Sequence, residues 1–132
     1  LGLEDHVEFV TGVAEQRIIE LYSEAEMAVV PSLYEGFSRA AIEAMACGTP
    51  VVGTTGGAVP EVIGKDGDTA MVVPPGDSEA LAAKIRWGFE QKDLRETIGA
   101  RGRQRIADRW SWKHTAVKTV EQYRIRLEGE GR

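Results

Sequence analysis

Apolar and polar positions alternate through Val7-Glu8-Phe9-Val10 and stop at Thr11-Gly12, the pattern of a strand. The period then changes. Between Glu15 and Ala25, Ile18, Leu21, Tyr22 and Ala25 fall on one helical face. Met27 to Val30 is a short unbroken apolar run closed by Pro31, which reads as a buried strand. A loop over 32–37 leads to Ser38, a residue suited to capping, and to an Ala-rich helix from Arg39 to Cys47. Gly48 stands where a helix is commonly terminated. Pro50 to Gly53 predicts the next strand, Thr54 to Ala58 a glycine-rich loop, Pro60 to Ile63 a helical turn and Thr69 to Val73 a further strand.

The remainder is helical. Asp77 or Ser78 caps a helix carrying Leu81, Ile85 and Phe89 at a spacing of four. A second helix aligns Leu94, Ile98, Gly102, Ile106 and Trp110. Ser111 caps a third, over 111–128, with Ala116, Val120, Tyr123 and Leu127 on one stripe. Apolar strands alternating with helices predict an α/β fold: a partial Rossmann-like parallel sheet of about four strands with flanking helices and a helical C-terminal tail. Four strands are few for such a sheet, and the last helix needs another surface to cover its stripe. The chain opens at Leu1 in what reads as the middle of a connection, so one incomplete lobe over 1–132 is expected.

Composition narrows the chemistry. With 42% hydrophobic residues and a net charge of −5, the chain is globular rather than disordered. The single cysteine, Cys47, excludes an internal disulfide framework and a cysteine-based zinc site, and His6 and His114 lie far apart. No apolar stretch approaches the roughly 18 residues of a membrane span and no signal peptide is evident, so a cytoplasmic location is expected. Charge is uneven: nine acids and two bases in 1–60, a balance of −7, against twelve acids and fourteen bases in 61–132, a balance of +2. An anion bound by the first half therefore relies on backbone N–H groups or a supplied cation.

Ligands of open parallel sheets sit beyond the carboxyl ends of the strands. There, Pro31-Ser32-Leu33-Tyr34-Glu35-Gly36-Phe37-Ser38 runs into the helix Arg39–Cys47. A glycine-containing loop entering a helix N-terminus offers free N–H groups and the positive end of the helix dipole, which suits a phosphate. Glu35 lies in the loop and Glu43 about one turn into the helix, with seven residues between them. Glu43 points away from the Ala41, Met45 stripe and toward the cleft. A carboxylate there suits ribose hydroxyls. An ordinary surface glutamate and a dipole-favoured loop acid explain the same spacing, and the spacing leaves both open. Gly56 and Gly57, in the next loop, fit either close approach to the same ligand or a turn needing positive φ.

The segment PSLYEGFSRAAIEAMACGTPVVGTTGGAVPEVIG resembles the signature of family-4 retaining glycosyltransferases of the GT-B architecture. That pattern has a PS-x-x-EGF loop, a second glutamate matched by Glu43, a G-x-PVV strand and a GG-x-x-E turn. The flanks, VEFVTGVAEQRIIELYSEAEMAVV before it and DTAMVVPPGDSEALAAKI with Trp110-Ser111-Trp112 after it, are similar as well. The resemblance implies a donor-binding lobe for a nucleotide-diphosphate sugar. Glu43 would bind the ribose and the amides of Gly36, Phe37 and Ser38 the distal phosphate and sugar. Glu35 would act at the transferred sugar, Val10 to Val13 would border the base, and Gly56 and Gly57 would approach the donor. Transfer would proceed with retention, without a cofactor or divalent metal. The family's preceding strands, with their arginine and lysine for the diphosphate, have no counterpart here, nor has the acceptor lobe. The chain alone is therefore expected to bind without turning over, and a carbohydrate or lipid-linked acceptor would bind through the missing lobe. A stand-alone nucleotide-binding module and a GT-B-type sugar-nucleotide epimerase are the alternatives.

Other motifs have plainer readings. Asp66-Gly67-Asp68 mimics an Asp-x-Asp metal motif but sits in a turn. Glu35 and Glu43 as a glycosidase pair have no other support. Arg101, Arg105 and Arg109 form a basic helical face, read first as solvated and second as a peripheral contact with anionic lipid at the inner face of the membrane. No aromatic set for nucleic acid accompanies it. Cys47 is expected as a small buried residue, and Trp87, Trp110 and Trp112 as packing residues. Apolar surface left by the absent strands favours self-association of the chain.

Overall fold

The computed structural model describes residues 2–129. A 3-10 turn at Glu4–His6 precedes α1 (Glu15–Glu24), β1 (Ala28–Val30), α2 (Arg39–Ala46), β2 (Val51–Thr54) and α3 (Val59–Ile63). β3 (Met71–Val73), α4 (Ser78–Glu90), α5 (Lys92–Arg109) and α6 (Trp112–Gly129) follow. The strands are parallel in the order β1-β2-β3, with Ala28 opposite Val51 and Val52 opposite Met71. Helices separate the strands, as parallel pairing requires.

Residues 7–10, expected as a strand, join no sheet. Val7 is extended (φ −126°, ψ 124°), yet the segment has no ladder partner and Phe9 is 91% exposed. Among the described residues the sheet has three strands rather than about four. Alternation specifies an extended backbone, but a strand forms only where a neighbour takes its hydrogen bonds.

Successive residues of β2 face opposite layers. Val51 packs with Ala41, Ala44, Met45, Val59, Val62 and Ile63 under α2 and α3. Val52 packs with Met71 and Ile98, and Leu81, Ile85 and Trp87 close that side. α5 serves both layers through Ile98 and Ile106. Arg95 on α5 is buried, paired with Glu26 and donating to the Gly88 carbonyl at 3.3 Å. Its guanidinium lies 5.7 Å from the Phe89 ring centroid. Phe89 itself is 56% exposed, so the α4 stripe ends at Ile85.

The capping expectations divide. Asp77 accepts from the Ala80 amide at 2.8 Å, and Ser111 Oγ accepts from the His114 amide at 3.2 Å. Ser38 occupies the N-cap position of α2 but makes no side-chain cap. The basic face of α5 is partly engaged within the fold. Arg105 donates to the carbonyls of Val62 (2.8 Å) and Glu61 (2.7 Å), and Arg101 pairs with Asp68 at 3.2 Å. Burial, and then the neighbouring Arg109, lower the pKa of Arg105, while Asp68 acts in the opposite sense.

α6 has no buried residue. Val120, Tyr123 and Leu127 of its stripe are exposed, as is Trp112 at 89%, which corrects the expectation that Trp112 is a packing residue. No helix among the described residues is long and apolar enough to cross a membrane.

Candidate functional site

The site begins where β1 ends. Pro31 stops the strand, and the chain crosses to α2 through Ser32–Ser38. Thr54 at the end of β2 donates its hydroxyl to the Ser32 carbonyl at 2.6 Å, and the Ala58 amide donates to the Glu35 carbonyl at 2.8 Å. These bonds tie the β1–α2 loop to the β2–α3 loop. Gly56 and Gly57 are required for the contact. A Cβ at Gly56 would run into the Leu33 carbonyl, and one at Gly57, which has φ +60°, into the Glu35 backbone. Packing against the neighbouring loop thus requires glycine at both positions.

Ser38 is fully buried, and its Oγ has no hydrogen-bond partner among the described residues. Because the hydroxyl turns inward instead of capping, it takes none of the first-turn N–H groups of α2, which have no intrahelical acceptor. The Arg39 amide donates to the Phe37 carbonyl at 3.1 Å, and the N-terminus of α2 keeps the amides of Ala40 and Ala41 and its partial positive charge for an outside group. Gly36 is exposed, and an added Cβ there meets nothing within 4 Å. Nothing in the fold requires glycine at that position.

Glu35 is half-buried, and its Oε2 accepts from Ser32 Oγ at 3.1 Å. Glu43 projects from the side of α2 opposite the buried Ala41, Ala44 and Met45, as its spacing predicts. Its Oε1 accepts from Arg39 Nη2 at 3.0 Å, and the pair is largely solvated. Glu43 and Val13 line one cavity of about 840 Å³ between α1 and α2, together with Ile18, Tyr22, Arg39 and Cys47. Glu35, Gly36, Phe37 and Ser38 do not line it. They stand at the helix N-terminus, Phe37 half-exposed and in edge-on contact with Trp110. The site is thus a lateral cavity holding one glutamate and a helix mouth holding the other.

Sequence reasoning did not single out Tyr22, Arg39 or Cys47 for this cavity. The Arg39–Glu43 spacing of four was readable as an ion pair. Cys47 is half-buried and lines the cavity, which corrects its assignment to the core: it follows the last turn of α2, where the chain leaves the packed layer. Burial, then the Glu43 carboxylate and the Cys47 thiol, push the Tyr22 phenol above its ordinary value. Asp66 and Asp68 are held by Lys84 (2.9 Å) and Arg101 (3.2 Å), so the turn reading of that motif stands. Among the described residues, no group of three or more His, Cys, Asp or Glu side chains converges on a point.

These features define an α/β lobe with an uncapped helix N-terminus beyond the end of β1. The chain belongs to the family described as glycosyl transferases group 1, which matches residues 1–105. It is 43% identical over 124 residues to the MMP alpha-(1->4)-mannosyltransferase of Mycolicibacterium hassiacum, covering 93% of this chain and 30% of that protein. Its fold matches sucrose-phosphate synthase from Thermosynechococcus elongatus with a TM-score of 0.86 and 35% identity, over 96% of this chain and 32% of that one. It also matches HepE from Anabaena in complex with UDP-glucose, with a TM-score of 0.81 and 28% identity, over 98% of this chain and 34% of that one. The chain spans about a third of the length of these relatives.

Proposed function

We propose that the chain is the donor-binding part of a glycosyltransferase that moves a sugar from a nucleotide-diphosphate sugar to an acceptor with retention. The observation that carries the reading is the uncapped α2 N-terminus, with Glu35 at its mouth and Glu43 on its flank beside Val13. The complex of HepE with UDP-glucose supports a nucleotide sugar as the donor class.

In this reading the nucleoside lies in the α1–α2 cavity. Glu43 accepts hydrogen bonds from the ribose hydroxyls, which compete with Arg39 for its Oε1. The amides of Gly36, Phe37 and Ser38 and the dipole of α2 receive the distal phosphate. Charge builds on that phosphate as the bond to the sugar breaks, and preorganised donors stabilise it there more than in the ground state. The sugar carbon gains positive character, and Glu35, oriented by Ser32, stabilises it. The mechanism assigns no step to a metal. The exposed stripe of α6 suits a covering surface elsewhere in the longer protein, the acceptor lobe in this reading, and the chain alone binds donor without turnover.

Calorimetric titration with UDP, GDP and ADP, each with and without magnesium, tests the proposal. One nucleotide is expected to bind equally well without magnesium, and Glu43→Ala to weaken it by about 1–3 kcal/mol, the scale of a hydrogen bond to a charged group. Affinity untouched by Glu43→Ala would overturn the ribose assignment.

A further inference from the structure

We propose that Trp110, at the junction of α5 and α6, is the positioning residue for the Glu35–Ser38 loop. What the loop binds rests on the reading above; how it is held does not. The Trp110 and Phe37 rings meet edge-on, with centroids 5.5 Å apart and planes at 60°. This is a favoured geometry for an aromatic pair. Trp110 packs against the buried cluster that includes Val30, Ala41, Met45 and Ile106. One part of the indole is therefore fixed by the core while another reaches a half-exposed side chain of the loop. Phe37 stands between Gly36 and Ser38, so its ring sets the orientation of the amides at the mouth of α2. The loop is held by two unrelated elements, the Ala58 amide on the Glu35 carbonyl at 2.8 Å and Trp110 on Phe37.

Among the described residues, the buried indole N–H of Trp110 finds no partner. An orphaned donor is a cost to the folded state, so the ring and not the N–H is what this position uses. Phenylalanine in its place is therefore expected to preserve the function, and alanine to lose it.

Amide hydrogen exchange at Ala58, in the full chain, reads the loop directly because the Glu35 carbonyl accepts that N–H. Relative to the Val52 amide in the buried strand, Trp110→Ala is expected to accelerate exchange at Ala58 about two- to tenfold, the scale of one aromatic pair. Trp110→Phe restores the wild-type rate. In a Phe37→Ala background Trp110→Ala adds nothing, because the interaction is already gone. Phe37→Ala alone gives the same acceleration, and it tests the contact from the exposed side if Trp110→Ala does not fold. Affinity for a nucleoside diphosphate should fall by a similar factor in Trp110→Ala, and affinity for the nucleoside should not. Unchanged exchange at Ala58, additive effects in the double variant, or equal losses for nucleoside and diphosphate would each overturn the proposal. A wild-type chain that binds no nucleotide yet shows the exchange pattern would keep it and remove the donor-site reading.

Discussion

Replacing Gly57 by alanine isolates the contact that shapes the mouth of α2. Two separate penalties act. The backbone at Gly57 has φ +60°, a left-handed conformation that costs a residue with a Cβ about 1–2 kcal/mol. The new methyl also overlaps the Glu35 backbone, and forcing an extra carbon into a packed contact costs about 1–3 kcal/mol. Together they give about 2–5 kcal/mol, with relief of the overlap by loop movement setting the lower end. For 132 residues each kcal/mol lowers Tm by about 3–4 °C, so Gly57→Ala is expected to melt about 6–20 °C below wild type. Gly36→Ala is the matched control. A methyl there meets nothing within 4 Å and φ is not positive, so stability should stay within about 0.5 kcal/mol of wild type. Any loss of nucleotide affinity in Gly36→Ala then reflects close approach of the ligand to the backbone. Thermal and urea unfolding followed by circular dichroism measure both variants. Equal stability of the two would refute the argument that packing between loops requires glycine at position 57.

Two further outcomes follow from the same contacts. Arg105→Ala removes both donors from the Val62 and Glu61 carbonyls at the end of α3, and urea unfolding should register a loss of about 1.5–3 kcal/mol, the scale of hydrogen bonds from a charged group. The raised pKa of Tyr22 means that the folded state holds its proton more tightly than the unfolded chain. Its contribution to stability is therefore complete below the unfolded value of 10.0 and is lost as pH rises through the folded one. Absorbance titration at alkaline pH, differenced against Tyr22→Phe, should show a late-ionising phenol whose midpoint falls in Glu43→Gln. An unmoved midpoint would refute Glu43 as a cause of the shift.

The period of the apolar residues was enough to locate α1, α2, β1, β2 and β3 to within about two residues, because each buries a face whose spacing is its own signature. The same logic made Glu43 legible as a cleft residue: on an eight-residue helix with Ala41, Ala44 and Met45 inside, its direction is fixed by the turn angle. Local chemistry also sufficed for the caps at Asp77 and Ser111. What the sequence did not determine depends on partners distant along the chain. Val7 to Val10 carry a strand's alternation and form none, since hydrogen bonding belongs to a pair of segments. Ser38 has the right side chain and position for a cap, yet the packing of α2 on the core turns it inward. Gly56 and Gly57 read as ligand glycines or turn glycines, and only the meeting of two loops showed that they answer to Leu33 and Glu35. Cys47 and Trp112 looked like core residues by type, but type gives no account of which surfaces remain uncovered. The contact of Trp110 with Phe37 spans a little over half of the chain and leaves no periodic trace in it, because it is made by the docking of α5 and not by any local pattern.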